Sequence, residues 1–573
     1  MTRDVRGLHM DISDWGLAVR RVGAMSAAGP KNATEDRQPV RCLPPMRTPC
    51  RRRWIAAAGV ACAIFLTIDV IAAPLGLGPV DDAFISLHYA THWAEGLGLC
   101  FNPGERVEGY TNFLLVLLQA IAIHCGFDPV RVMSLLPVAA LALLGGVLVL
   151  FASRYLFPTR LSHAVAAALI IALNPIMVCW AVGGLESCLY ALLVLVAFAL
   201  LAGRRRMSST MLSAVVLVMA GLARPEAAAL CPVALVVVFL DRRSIRDVLR
   251  YAAVFSAGFG AYFALRAAYF GQVFPNTFYA KLDYGNELLF RRGLTYVWDF
   301  ARSNPLMWFS GVVATAGIRR APRWVGAMAA ATAVQVCVIA YEGGDHFAMF
   351  RFMVPVVPLL GLVSLYGLTT TVRRFAGNVR AGNIALLAGL AALAVSNFGV
   401  CWQIKRGEPR PVTQYLRFLQ EVDYARQWSE IGRWFGRHAP PEESVATIAI
   451  GAVGHYSGLR LIDPHGLIDP FIAHQRRRLG TGYAGHEKFD IDRVLSQHPG
   501  YILLVNTLTL ESIPEAGVAD ALWGDFAPSL HSDPRLIQRY RYTNIAVRGR
   551  WLNLHVRRDL PDVSTRATAT GGA

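Results

Sequence analysis

Asp81 and Asp82 open the stretch Asp81-Asp82-Ala83-Phe84-Ile85-Ser86, directly after a long apolar run. Partial desolvation and mutual repulsion raise the pKa of adjacent carboxylates, which suits a general base. The pair also precedes an amphipathic stretch ending near Gly96, so it suits a helix start with a favourable dipole contact. Motif shape leaves that choice open. Glu186 follows Gly183-Gly184-Leu185 at the end of an apolar run, and Arg224-Pro225-Glu226 forms a turn between two others. Ionisable groups so placed are functional candidates, and their plain alternative is an Arg-Glu pair that satisfies a turn. The string Phe274-Pro275-Asn276-Thr277-Phe278-Tyr279-Ala280-Lys281 sets aromatics beside one lysine, which suits a lipid phosphate or an interfacial belt. Glu342-Gly343-Gly344-Asp345-His346 leads to Arg351, where a guanidinium can hold phosphate by two parallel bonds or simply snorkel. Asp345 and His346 suit hydroxyls or a metal. Farther on, Asp463 to His474 and Gly485-His486-Glu487-Lys488 are dense in His and acid, but their spacing matches no standard metal site. They read instead as loops folded over a site built by the preceding part of the chain. No P-loop, nucleotide-cradling glycine loop or serine elbow occurs, which argues against a nucleotide-fuelled pump.

The elements that must position these groups are mostly membrane helices. Of 573 residues, 54% are apolar and 17% charged, with a mean hydropathy of +0.40; a soluble domain carries roughly 25% charge. A soluble globular protein, a disordered chain and a secreted disulfide scaffold are excluded. The net charge of +17 comes from arginines clustered between apolar runs, as in cytoplasmic loops, so topology explains it and nucleic acid is not needed. Ten cysteines, none after Cys401, show no metal-type spacing and imply no disulfide framework.

Apolar runs at 54–73, 132–152, 161–179, 186–203, 209–222, 226–240, 249–270, 305–318, 324–341, 352–371 and 383–403 give about eleven transmembrane helices. The first is too long for a signal h-region, which favours an uncleaved span. Phe113 to Cys125 falls short of the ~20 residues a span needs. With that stretch lying at the outer surface, the cytoplasmic loops hold eighteen basic residues against eight in the outer loops up to Arg351. The N-terminus is then inside and the C-terminus outside. The expected domains are a disordered cytoplasmic tail (1–50), a transmembrane catalytic domain (51–403) with a first outer loop at 74–131, a soluble α/β domain on the outer, periplasmic face (404–563) and a disordered tail (564–573). In the α/β domain, Val445–Ile450, Tyr501–Val505 and Trp551–Val556 read as strands and Val412–His438 as a helix.

The ordered strings DDAFISLHYA…GLGLCFNPGERVEGYTNF, GGLES, LARPEA, FPNTFYAK, GGDHFAMFRF and HGLIDPFIAH…GHEK resemble the bacterial GT-C glycosyltransferases of the mycobacterial terminal arabinofuranosyltransferase and pilin arabinosyltransferase group. The resemblance covers about residues 54–505. It implies a GT-C fold in the inner (cytoplasmic) membrane and transfer of a sugar, arabinofuranose favoured, from a polyprenyl-phosphate donor to a glycan, protein or lipid hydroxyl on the periplasmic face, with inversion. It also implies that an aspartate of the first outer loop, Asp81 or Asp82, is the base. Such a displacement needs cations for the departing phosphate, and Arg351, Lys281 and Arg224 are assigned in that order. Glu108, Tyr110, Asn112, Glu186, Asn276, Asp345 and His346 are candidate sugar or acceptor contacts, and His465, Asp469, His486 and Lys488 candidates for shaping the acceptor entrance. No cofactor is expected, although some relatives need a divalent metal. A lipid-linked sugar flippase or a non-enzymatic scaffold are the rival readings; a flippase would place its ionisable groups near the midplane rather than at one surface.

Overall fold

The structure, a computed structural model, describes residues 49–561 apart from 204–205, 283–286, 481, 506 and 523. The expected tails at 1–50 and 564–573 lie outside the described residues, but for the first two residues of helix α1. Each apolar run is helical. Helix α1 (Pro49–Ala72) is followed by α2 (Asp81–Ala94), α3 (Phe113–His124) and α4 (Pro129–Tyr155). Asp128 caps α4 by accepting a hydrogen bond from the Arg131 amide at 2.8 Å, and Pro129 takes a first-turn position where an N–H is not needed. Gly146 lets α4 approach α1 closely: a Cβ there would stand 3.2 Å from the Ala57 carbonyl oxygen. Small residues at such crossings are how apolar helices pack where lipid supplies no hydrophobic drive.

The run expected as one span at 161–179 is instead broken into α5 (Leu161–Ala172) and α6 (Pro175–Val182), bent by 60°. Pro175 cannot donate to the preceding turn, and Asn174 restarts the helix by accepting from the Ile176 amide at 3.0 Å. Helices α7 (Ser187–Ala202) and α8 (Met207–Ala223) follow. The run expected at 226–240 becomes a 3-10 turn, Pro225–Leu230, and then α9 (Cys231–Arg242). Beyond it lie α10 (Ile245–Phe270), α11 (Asn276–Lys281), α12 (Glu287–Ser303), α13 (Pro305–Ala316), α14 (Arg323–Tyr341), α15 (Val356–Phe375), α16 (Val379–Asn397), α17 (Gly399–Trp402) and α18 (Gln414–His438). Among the described residues, six helices are long and apolar enough to cross a membrane, seven if the bent α5–α6 pair counts as one. The chain is thus a multi-pass membrane protein. α4 and α15 are each 67% buried along their most apolar stretch and form the centre, whereas α10, 11% buried, lies at the periphery and packs on α8 and α9. α3, at 12 residues, is about 18 Å long, well short of the ~30 Å hydrocarbon core.

The C-terminal part is a five-stranded sheet of order β2-β1-β3-β5-β4. β1 (Ser444–Ala446), β2 (Arg460–Ile462) and β3 (Tyr501–Ile502) are parallel, and β4 (Tyr540–Val547) and β5 (Arg550–Arg557) form an antiparallel hairpin paired through β5 to β3. The strand expected at 445–450 stops at Ala446, and the chain turns into α19 (Ile450–Ser457), the crossover to β2. β2 and β4 lie outside the expected strands. After β2 come α20 (Pro470–Ala473) and α21 (Ile491–Ser496). The sheet domain and the helices gather in one compact unit that begins at Cys50.

Candidate active site

The doubly wound part of the sheet explains why two neighbouring aspartates differ. In such sheets the helix N-terminus after the first parallel strand gathers free backbone N–H groups and attracts an anion. Here that anion is the Asp81 side chain: Oδ1 accepts from the Ala452 amide at 2.7 Å and Oδ2 from the Gly451 amide at 3.1 Å, both in α19. Burial pushes the Asp81 carboxyl up to about 7, against the lowering effect of those two amides. A Cβ on Gly451 would collide with the Asp81 backbone, so the contact requires glycine. Of the two candidate bases, Asp81 therefore anchors the sheet domain to α2 and does not line the cavity described next. On a helix the next residue points about 100° away, and Asp82 faces that cavity with 26% of its side chain exposed.

The cavity measures about 450 Å³ and lies where the helical part meets the sheet domain. Its polar wall carries Asp82, Asn112, Glu186, Arg224, Lys281 and Arg351, and its apolar wall the aromatics Phe259, Phe263, Phe274 and Phe278. Residues from more than 250 positions of sequence thus converge. Arg351, buried beside Trp180 and Phe347, donates to Asp345 through Nε (2.7 Å) and Nη2 (3.2 Å) and to Asp82 Oδ2 through Nη1 at 3.3 Å. The fork expected to grip a phosphate is already engaged by a carboxylate. Arg224 is likewise held by Glu186 and Glu226, each at 2.8 Å. Glu186 also accepts from Asn112 Nδ2 at 2.7 Å, and that amide reaches Ser86 Oγ of α2 at 2.9 Å. This chain of bonds fixes the base helix, the first loop and the Arg224 turn relative to one another. Lys281 differs: among the described residues its ammonium makes no hydrogen bond or ion pair, and its stem runs beside Gly485. Of the three phosphate candidates, Lys281 is the one whose charged end is not engaged by a carboxylate among the described residues.

Other expected contacts fall elsewhere. Glu108 is buried in an ion pair with Arg266 of α10, Nε to Oε2 at 2.8 Å, and Arg266 also donates to the Val273 carbonyl. Asn276 donates to the carbonyls of Gly466 (2.7 Å) and Leu467 (3.0 Å), tying α11 to the sheet domain. Lys488 Nζ donates to the Tyr279 and Ala473 carbonyls, both at 2.8 Å. His465 is fixed by the Lys488 carbonyl, and Asp469 caps α20 while pairing with Arg493. Burial lowers His465 to about 4 and His486 to about 3, so both rings stay neutral. None of these six acids, bases and amides lines the cavity; Leu467, Ala484 and Gly485 do instead. Tyr110, Asp345 and His346 do line it. The Tyr110 hydroxyl is buried without a hydrogen-bond partner among the described residues, and His346 packs on Phe347 at 4.1 Å with its pKa pushed well down by burial and by His486. Arg266 belongs to none of the motifs, although an ionisable residue inside an apolar run, the fifth from its end, is a signal in itself. Among the described residues no group of three His, Cys, Asp or Glu side chains is placed to hold a metal.

Residues 415–565 match the family described as "Domain of unknown function (DUF8728)". The chain is 30% identical over 266 residues to the terminal β-(1→2)-arabinofuranosyltransferase of Mycobacterium tuberculosis. That match spans 42% of this chain and 42% of the relative, less than half of either. Among solved structures, ArnT from Cupriavidus metallidurans bound to undecaprenyl phosphate is similar at 13% identity and a TM-score of 0.47, covering 72% of this chain and 86% of that one. The oligosaccharyltransferase AglB from Archaeoglobus fulgidus, in complex with an inhibitory peptide and a dolichol-phosphate, is similar at 12% identity and a TM-score of 0.45, covering 87% of this chain and 75% of that one. The resemblance expected from the motifs is thus found in a curated glycosyltransferase.

Proposed function

We propose that this chain is an integral membrane glycosyltransferase of GT-C type, with about eleven spans. It transfers a sugar, arabinofuranose by similarity to the mycobacterial relative, from a polyprenyl-phosphate donor to an acceptor hydroxyl at the outer face of the inner membrane. The observation that carries the reading is one cavity presenting an accessible carboxylate, Asp82, an ammonium with no ion pair among the described residues, Lys281, and an aromatic wall beside lipid-facing α10. In this reading the donor's apolar chain follows Phe259 and Phe263 of α10, and its phosphate meets Lys281. Asp82 takes the proton of the acceptor hydroxyl. The freed oxygen attacks the anomeric carbon as the bond to phosphate oxygen breaks, and the lipid phosphate departs with both bonding electrons. A single displacement inverts the centre. Arg351 orients the base: its Nη1 occupies Asp82 Oδ2, and among the described residues Oδ1 makes no hydrogen bond and is left for the acceptor. The lipid phosphate is itself the activated leaving group, so the reaction as drawn uses no cofactor. The test is incubation of membranes with radiolabelled polyprenyl-phosphate sugars. Labelled acceptor should form with the natural chain and fall at least 100-fold with Asp82→Asn, as for loss of a general base; undiminished transfer would sink the assignment.

A further inference from the structure

Glu342 takes no part in the reaction as drawn, although it lines the same cavity. It follows the last residue of α14, and its amide donates to the Val338 carbonyl at 2.9 Å. The next two residues, Gly343 and Gly344, have φ of 84° and 71°, a conformation that glycine adopts at no steric cost. α12 presses on both: a Cβ would stand 2.5 Å from Leu289 Cδ1 at Gly343 and 2.7 Å from Tyr296 Cβ at Gly344. The backbone that carries Glu342 is therefore fixed at the cavity wall.

Charge separates this acid from the others. Asp82 and Asp345 share Arg351, and Glu186 and Glu226 share Arg224. Arg266 and Arg292, the other arginines of the cavity, pair with Glu108 and Glu487. Glu342 is thus a fifth acid beside two guanidiniums that already hold four, and among the described residues it makes no hydrogen bond or ion pair. Oε2 of its neighbour Glu226 is buried without a hydrogen-bond partner among the described residues. The recess that the two glutamates share with Tyr190, Gln335 and Arg351 measures about 10 Å³, space for one water and not for a hydrated cation. A proton is the compensating charge that fits. Loss of water contact and then the charge of Glu226 push the Glu342 carboxyl well above its usual range, with Asp345 adding to the rise and Arg224 opposing it.

In the reaction proposed above, the lipid follows Phe259 and Phe263, the phosphate meets Lys281 and the acceptor meets Asp82. The polar wall left for the transferred ring is that of Glu186, Arg224, Glu226 and Glu342. The first three hold one another. A neutral carboxyl donates one hydrogen bond and accepts others, which matches a hydroxyl, and it adds no charge to repel the departing phosphate. We propose that Glu342, as a neutral acid, donates a hydrogen bond to a hydroxyl of the transferred sugar and so positions the ring. This deepens the transferase reading and rests on it for the word transferred.

The test is infrared spectroscopy of the purified full chain in detergent at pH 7, read at the C=O stretch of a protonated carboxylic acid. Subtracting the spectrum of Glu342→Gln from that of the natural chain removes the contributions of Asp81 and Glu421 and should leave one such band. Polyprenyl-phosphate arabinofuranose, without acceptor, should move that band to lower wavenumber, and polyprenyl phosphate alone should not. In transfer assays Glu342→Ala should raise the donor KM about ten-fold above that of Glu342→Gln, whose amide still donates, with kcat changed less. Absence of the band, an equal shift with polyprenyl phosphate alone, loss of the band on adding magnesium chloride, or equal KM in the two variants overturns the proposal. A sugar-dependent shift that persists in Asp82→Asn while transfer also survives would remove the catalytic base and leave the sugar contact standing.

Discussion

At the level of single residues, burial separates Asp81 from Asp82 and makes a pH prediction. An unfolded aspartate loses its proton near pH 4, whereas burial holds that of folded Asp81 to about 7. Between those values the folded chain binds more protons than the unfolded one, so this residue's contribution to stability falls as pH rises from 4 to 7, by at most roughly 4 kcal/mol. Glu421, pushed up to about 7 by burial, and Asp463, pushed up to about 6, act in the same direction. The difference between natural and Asp81→Asn melting curves isolates Asp81: the Tm of Asp81→Asn should decline less between pH 5 and 7. Parallel curves would show that Asp81 does not titrate there. Lys281 makes a second prediction. A charged hydrogen bond is worth about 1.5–3 kcal/mol, so Lys281→Ala should raise the donor KM roughly 10- to 100-fold, with Lys281→Arg restoring most of it. An unchanged donor KM would exclude phosphate contact. The sequence shows the acidic pair but not its division of labour, because α2 is buried on nearly all sides and has no exposed stripe from which to read orientation. Arg351 and Arg224 stand close in sequence to the acids Asp345 and Glu226, but only the fold shows that those acids, with Asp82 and Glu186, occupy the two guanidinium forks.

At the level of elements, the sequence made the helices legible and the strands much less so. Helical apolar runs are long, and their ends agree with the observed ones to within several residues where Pro or Asn does not intervene. β1, β2 and β3 have two or three residues each, too short for alternation to appear, and β1 hands over to α19 within an apolar run broken only by Thr447, whose hydroxyl accepts from the Ala449 amide. The α2–α19 contact depends on Gly451 more than on any hydrophobic pattern. A methyl at that position must displace Asp81 or the N-terminus of α19. Gly451→Val should therefore lower the Tm and reduce transfer together, because the shift passes through α2 to Asp82. Overpacking of this kind costs typically 1–3 kcal/mol, which is readable by thermal unfolding in detergent. A stable Gly451→Val with full transfer would show that the anchor is dispensable.

For the molecule as a whole, the side of the membrane on which α3 ends decides whether one catalytic face exists. Among the described residues, six long apolar helices, the bent α5–α6 pair and four shorter helices do not by themselves fix the crossing number. Parity does, provided α3 stays on one side, as its 12 residues suggest. Cys125, exposed just beyond α3, is a natural reporter. In a chain whose other cysteines are serine, Cys125 should react with an impermeant maleimide on intact spheroplasts. Thiols placed at exposed Arg106 in the first loop and at Asp520 in the sheet domain should react in the same way. A thiol at Arg320, in the turn before α14, should react only after the membrane is opened. If α3 crossed the bilayer, Arg106 and Cys125 would label from opposite sides, and every later loop would exchange faces. Asp82 and Lys281 would then have to reach one cavity from opposite sides of a bilayer about 30 Å thick in its hydrocarbon core, which their shared cavity forbids. Labelling of all three outer thiols from one side, with Arg320 silent, is the pattern under which acceptor, base and lipid phosphate can meet.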